Sequence, residues 1–379
     1  MHADIRKTLI YIVTEDWYFW MHRLALGQAA LAAGYRVIVA CRVQVHRERL
    51  EAAGFEVIAL TWRRRGGTLM GELRALGELW RLFRRERPDL VHSIALKPII
   101  YAGLAARLAR VRSRVATVAG LGYVFTSSSL KASLLRWPVT LALRLGMGGQ
   151  GSRVILENPD DGLVLTTRGA IRPSQVALVS ACGVDAARFQ PAPPPSGVPV
   201  IAMACRLVRG KGIAISVEAV RRLRAAGVAL RFRLAGGTDP ESPESHTEAE
   251  IRAWVAEGLV EWVGRIDDVA GFWQGAHIAV YPSTYGEGVP RTLLEAASCG
   301  LPIVTTDVAG CREAVVDRET GFLVPPHDVG AVAERLEMLI GDARLRQRFG
   351  AAGRARVLAE FADGIVVGRM LAVYAAGAS

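Results

Sequence analysis

Two short segments carry residue types suited to gripping a charged, oxygen-rich ligand. The apolar run Val198–Ala204 ends in Cys205-Arg206-Leu207-Val208-Arg209-Gly210-Lys211-Gly212, after which a helix is predicted. Arg206 offers forked donors, Lys211 a point charge, and the helix start its free N–H groups, a set that suits phosphate. A plain basic surface loop has the same composition, so this segment does not decide alone. The second segment, Tyr285-Gly286-Glu287-Gly288-Val289-Pro290-Arg291-Thr292-Leu293-Leu294-Glu295, follows the strand-like Ile278–Tyr281. Glu287 lies in a Gly-rich loop, a helix is predicted from about Val289–Pro290, and Glu295 falls about two turns further on. Carboxylates accept hydrogen bonds from sugar and ribose hydroxyls. Taken singly, each glutamate reads as a capping or exposed helical residue.

The elements that must position these groups alternate along the whole chain. The strand-like Thr8–Val13 is followed by a helical Leu24–Ala33, Gly34 and the run Arg36–Cys41. An Ala-Ala-Gly sequence recurs at Ala32, Ala52 and Ala225, each time before a buried run. Each is a helix stopped by glycine and followed by a strand of a parallel sheet, the βαβ pattern. The alternation breaks at Pro191-Ala192-Pro193-Pro194-Pro195-Ser196-Gly197, which reads as a stiff linker. The fold class expected is α/β, two Rossmann-like doubly wound domains over residues 1–190 and 198–360. Ligands are expected in the cleft they face, beyond the C-terminal strand ends.

Several classes are excluded. The first strand is followed by Thr14-Glu15-Asp16-Trp17-Tyr18-Phe19-Trp20, with no glycine, which disfavours a nicotinamide or flavin fold of the usual type. No GxxxxGK[ST] loop is present. Five cysteines without CxxC spacing argue against a disulfide framework or a zinc knuckle and fit a reducing cytosol. Asp160-Asp161 and Asp267-Asp268 are paired but not DxD, no histidine cluster has ligand spacing, and metal-independent chemistry is expected. No apolar run reaches the length of a spanning helix, and no cleavage site marks a signal peptide.

Charge is divided unevenly in this 379-residue chain of net charge +11. Residues 1–190 hold 27 Lys and Arg against 14 Asp and Glu, whereas residues 191–379 hold 20 against 22. Much of the excess lies in Trp62–Arg87, where Arg63, Arg64, Arg65, Arg74, Arg81, Arg84, Arg85 and Arg87 interleave with Leu73, Leu76, Leu79, Trp80, Leu82 and Phe83. A basic amphipathic helix of this kind suits an anionic membrane surface; a solvated face on a crossover helix is the other reading. Nucleic acid is not expected as a partner, for want of any recognised binding motif.

Together these segments resemble the retaining glycosyltransferases of family 4, which have the GT-B fold. The resemblance rests on Arg206 through Lys211-Gly212, the Glu287…Glu295 pair, Gly183-Val184-Asp185 with Arg188-Phe189, and Thr320-Gly321-Phe322-Leu323-Val324. It implies that Arg206 and Lys211 bind the diphosphate of a UDP-sugar donor and that Glu287 faces the donor sugar. Gly288 and Val289 would offer it backbone N–H groups, Glu295 would hold the ribose, and Arg265 and Ile266 would flank the base. Arg206, Lys211 and Glu287 would be the catalytic set. Residues 361–379 would form a helix crossing back to the N-terminal domain.

The N-terminal half is similar to enzymes acting on polyprenyl-diphosphate-linked sugars, among them bacterial N-acetylgalactosaminyltransferases of glycan assembly. The matching residues are His22-Arg23-Leu24, Val91-His92-Ser93 with Lys97-Pro98, Gly120-Leu121-Gly122-Tyr123 with Phe125, and Glu157-Asn158-Pro159-Asp160-Asp161. The family's glycine-rich loop after the first strand is absent. The histidine that many relatives carry near Ala119 is absent too, so its role is not carried over. His22, His92 and Lys97 are the acceptor-site candidates, with His92 placed at a strand end facing the cleft. The partners implied are a UDP-sugar, a lipid-linked saccharide and an anionic membrane, with the protein peripheral on the cytoplasmic, inner face of the cell membrane. Open alternatives are a transferase with a soluble acceptor, a nucleotide-sugar epimerase, and a catalytically silent subunit of a polysaccharide assembly complex.

Overall fold

The buried aliphatic runs pair in register into two all-parallel sheets. The computed structural model describes residues 6–62, 68–126, 129–179, 183–239 and 241–377. Arg63, Arg64, Arg65 and Cys182 therefore lie outside the described residues. The first sheet contains β1 (Thr8–Glu15), β2 (Arg36–Arg42), β3 (Glu56–Ala59), β4 (Leu90–Ile94), β5 (Ser113–Val118), β6 (Ser152–Leu156) and β7 (Val176–Leu178). Its spatial order is β3-β2-β1-β4-β5-β6-β7. The second contains β8 (Val200–Ala204), β9 (Arg231–Ala235), β10 (Glu261–Gly264), β11 (Ile278–Tyr281), β12 (Ile303–Thr306) and β13 (Gly321–Val324). Its order is β10-β9-β8-β11-β12-β13. Each order reverses once, at β1/β4 and at β8/β11, which is the doubly wound pattern.

Burial of both sheet faces explains the strand composition. Along β1, Leu9, Tyr11 and Val13 face one core with Leu26 and Ala30 of the helix Leu24–Ala32 and with Val366, Met370 and Tyr374 of the helix Asp363–Gly377. Ile10 and Ile12 face the other, against Ala75, Leu79, Leu82 and Phe83 of the helix Leu69–Glu86 and Ala102, Ala105 and Ala106 of the helix Leu96–Leu108. So part of the apolar set in the basic segment is core: Trp62, Leu79, Leu82 and Phe83 are buried. Leu73 and Trp80 are exposed beside Arg74, Arg81 and Arg84.

The chain divides into two compact units, residues 1–182 with 366–379, and residues 183–365. The division falls ahead of the proline-rich stretch because the segment before it is fastened to the second unit. Arg354 donates to the carbonyls of Ala186 and Phe189, and Ser298 Oγ also donates to Phe189. The prolines are held as well: the Gln274 amide donates to the Gln190 carbonyl, and a His277 ring nitrogen lies 2.9 Å from the Pro195 carbonyl. No helix among the described residues is long and apolar enough to cross a membrane.

Candidate functional site

In the second unit the segments after β8, β9, β10 and β11 leave the same, C-terminal edge of a parallel sheet, on either side of its strand-order reversal. After β8 the chain makes a short 3-10 turn, Arg209–Lys211, and enters the helix Ile213–Ala225 through Gly212. Gly212 has φ 78°, and a Cβ there would meet the Pro282 carbonyl oxygen at 2.0 Å. Only glycine lets the two strand-end loops approach this closely. They are further joined by the Thr284 N–H, which donates to the Gly210 carbonyl at 2.9 Å.

This junction brings Lys211 to Glu287. Lys211 Nζ donates to Glu287 Oε2 at 2.5 Å, across 76 residues of sequence. The other carboxylate oxygen accepts from Tyr281 Oη at 3.0 Å and Ser283 Oγ at 3.1 Å. The rings of Tyr281 and Tyr285 lie 5.4 and 5.6 Å from the ammonium, a cation–π setting. Burial works against the charge of Lys211, but the Glu287 carboxylate outweighs it and raises the lysine above its ordinary range. Arg206, half exposed and paired with Asp239 at 3.0 Å, acts on Lys211 in the opposite sense.

The Glu287 loop is held from behind. Gly310, at φ 86°, abuts the carbonyls of Glu287 and Gly288, either of which a Cβ would meet at 2.4 Å. Gly288, Val289 and Pro290 are buried, and the helix Arg291–Ser298 begins after Pro290. Glu295 is one turn in, paired with Arg291 at 2.9 Å. Burial pushes its carboxyl above the usual range, against the pull of Arg291. Arg265 donates to the Thr238 carbonyl at 3.3 Å, which sets the turn containing it and Ile266 against the end of β9.

Among the residues singled out in the sequence, Lys211 and Glu287 are thus in direct contact, and Arg206, Arg265, Ile266, Gly288, Val289 and Glu295 stand on the same sheet edge. The residues that hold them were not singled out: Asp239, Tyr281, Ser283, Arg291 and Gly310. Only Tyr281 gave a usable sign, as the last residue of a strand feeding the Gly-rich loop. An edge so arranged can neutralise a diphosphate with two cations and a helix start, and can accept hydroxyl hydrogen bonds on two carboxylates.

In the first unit the acceptor candidates have different surroundings. Lys97 opens the helix after β4, with its Nζ 3.0 Å from Glu72 and 5.5 Å from the Tyr101 ring centroid. His22 ends the helix Asp16–His22, half-buried, with its ring centroid 4.7 Å from that of Tyr18 and the two rings tilted by 39°. His92 corrects the sequence reading. It sits mid-strand in β4 and fully buried, with Nδ1 2.6 Å from Tyr374 Oη and Nε2 2.7 Å from Thr117 Oγ1. Burial, reinforced by Arg23, keeps its pKa well below the ordinary imidazole value, so it is a neutral core residue. Asp16 stands where a glycine-rich loop was absent. Its carboxylate accepts from the backbone N–H groups of Trp17, Gln44, Val45 and His46. Burial opposes its charge, but these donors prevail and lower its pKa.

Residues 198–342 match the family described as glycosyl transferases group 1, and residues 8–144 the family described as glycosyl transferase 4-like. The chain is 25% identical over 342 residues to the N,N'-diacetylbacillosaminyl-diphospho-undecaprenol alpha-1,3-N-acetylgalactosaminyltransferase of Campylobacter jejuni, covering 87% of this chain and 88% of that one. It is 30% identical over 308 residues to the alpha-maltose-1-phosphate synthase of Mycolicibacterium smegmatis, covering 72% and 76%. Its fold is shared with Anabaena HepE, solved in complex with UDP, at a TM-score of 0.79 and 16% identity over 98% of this chain and 100% of that one.

Proposed function

This chain belongs to the group 1, family 4-like glycosyltransferases of GT-B fold, and from that premise we propose that it transfers a sugar from a UDP-sugar to a polyprenyl-diphosphate-linked saccharide with retention of configuration. The sugar proposed is an N-acetylhexosamine, and the setting is bacterial surface glycan assembly at the inner face of the cell membrane. The observation that carries the donor half is the Lys211–Glu287 contact at the sheet edge, with Arg206 beside it. The lipid-linked half is supported by the activity for which the Campylobacter relative is named and by the exposed basic face of the helix Leu69–Glu86.

In this reading Arg206, Lys211 and the start of the helix Ile213–Ala225 take the diphosphate. Glu287 and the N–H groups of Gly288 and Val289 take the donor sugar, Glu295 the ribose, and Arg265 and Ile266 the base. Lys211 then turns part of its charge from Glu287 to the leaving phosphate, where negative charge develops as the bond breaks. The bond from the anomeric carbon to the phosphate oxygen breaks, and the acceptor oxygen bonds to that carbon on the same face. The hydroxyl proton passes to the departing phosphate. His22 and Lys97 remain the acceptor-side candidates.

The test is incubation of the purified chain with a panel of UDP-sugars and a synthetic polyprenyl-diphosphate saccharide, with the product linkage assigned by NMR. An α-linked lipid product from an α-linked donor is expected. Transfer confined to soluble acceptors, or an inverted product, would refute this reading.

A further inference from the structure

From Leu90 to Leu156 the chain has no acidic residue and nine Lys and Arg. Within that stretch lies the helix Leu130–Gly146, which buries only Ala132, Leu143 and Gly146. Its outer side carries Leu130 (79% exposed), Leu134 (70%), Trp137 (74%), Leu141 (39%) and Leu145 (46%). At about 100° per residue these positions fall within an arc of roughly 80°. A surface helix ordinarily turns such a stripe to its core; this one turns it to solvent. The orientation is fixed by the helix's own attachments. Arg107 donates to the Leu145 carbonyl at 2.8 Å, Arg136 donates to the Val124 carbonyl at 2.9 Å, and the backbones of Gly103 and Gly146 meet without side chains between them.

The surroundings say what the stripe meets. Lys131 and Arg144 flank it, exposed. At the C-terminal ends of the helices Leu69–Glu86 and Leu96–Leu108, Arg84, Arg87, Arg110 and Arg112 line a hollow of about 390 Å³. None of the four makes an ion pair or side-chain hydrogen bond among the described residues. The one acid lining the hollow, Asp89, accepts from the Thr8 N–H. A second copy of this face would bring like charge to like charge, whereas an anionic bilayer is complementary both to the cations and to the apolar stripe. Trp137 is the side chain type that settles at the headgroup level. The helix is no membrane span, so it would lie in the plane of the interface.

We infer that the helix Leu130–Gly146 is the element that enters the interfacial layer of an anionic lipid bilayer, with its flanking cations on lipid phosphates. This deepens the lipid-linked-acceptor reading and rests on it only for its purpose: an acceptor confined to a membrane must be met at the surface.

The test uses the full chain and vesicles of phosphatidylcholine with or without phosphatidylglycerol. The parent should sediment with the anionic vesicles at least about tenfold more strongly than with the neutral ones. The variant Leu134→Ser/Trp137→Ser/Leu141→Ser should lose at least about tenfold of that partitioning while titrating UDP as the parent does, which separates docking from both misfolding and the donor site. Leu163→Ser, at an exposed leucine of the helix Pro159–Thr167, should change nothing. Trp137→Phe should still bind but lose part of the fluorescence quenching by brominated lipid. Undiminished sedimentation of the triple variant overturns the inference. So does a parent that ignores vesicles, or one that forms a dimer which the triple variant abolishes. Intact vesicle binding with no transfer to a lipid-linked acceptor would instead count against the proposed reaction.

Discussion

Lys211→Met keeps the length of the side chain and removes its charge, and the structure separates two consequences. The first is on stability. The Glu287 carboxyl is left in a site where its side chain is 17% exposed, with its cation gone. Breaking a buried pair from one side costs about 3–5 kcal/mol. Tyr281 and Ser283 still hold one carboxylate oxygen, so the lower end applies, about 3 kcal/mol. For a unit of this size that is a fall of roughly 6–12 °C in Tm. The second is on the ligand. A charge-assisted contact to phosphate is worth about 1.5–3 kcal/mol, or roughly 10- to 150-fold in the Kd for UDP. The double variant Lys211→Met/Glu287→Gln replaces the stranded carboxyl by an amide, so it should regain most of the Tm and none of the affinity. Scanning calorimetry and UDP titration read the two effects. If both variants bind UDP within threefold of the parent, the nucleotide does not sit on this loop.

Three further outcomes are expected. Gly310→Ala forces a Cβ into the carbonyls of Glu287 and Gly288, so kcat/KM for donor turnover should fall at least about tenfold with UDP affinity within threefold; normal turnover would show that loop to be passive. Activity should persist in excess EDTA, because Arg206, Lys211 and a helix start supply the positive charge that a metal gives elsewhere; rescue of a chelated enzyme by magnesium or manganese would contradict this. His92 is neutral in the folded chain and takes up a proton on unfolding below pH about 6.5, so the folded state loses stability as pH falls through that value, by up to about 1.4 kcal/mol per unit. His92→Gln keeps hydrogen-bonding groups toward Tyr374 and Thr117 and should flatten that acid slope in a series of melts; equal slopes would refute it.

The legible part of this protein was what short stretches encode. Glycine-stopped helices before buried runs marked the alternation because stop and strand are neighbours in sequence. Arg206 with Lys211, and Glu287 with Glu295, were readable because each pair lies close in sequence, on one strand-end loop or on that loop and the first turn of the helix it feeds. Their supports were not, because Asp239 and Gly310 arrive from the ends of β9 and β12, and only the order of parallel strands makes them neighbours. His92 was misplaced because period-two alternation along a strand does not say how far along it the solvent begins. The stripe from Leu130 to Leu145 escaped notice for a related reason. Helical periodicity reveals that one side is apolar but carries no sign of whether that side is covered.

The first and last stretches of this chain meet in one core: Tyr11 of β1 and Tyr374 of the final helix share a hydrogen bond at 3.0 Å, 363 residues apart. A ribosome makes β1 first and the final helix last, so the first unit waits for its closing piece through the synthesis of the entire second unit. Residues 183–365 are continuous and have every partner as soon as they emerge. The second unit should therefore reach its native state on the ribosome ahead of the first, against the usual N-to-C order. Until Val366, Met370 and Tyr374 dock, the core around Leu9, Tyr11 and Val13 stays open along one side. Nascent chains stalled with residue 365 just clear of the exit tunnel and the final helix still inside it should be cut by protease between residues 6 and 179 and spared after 183, whereas resistance across both would show that the first unit closes without its last helix.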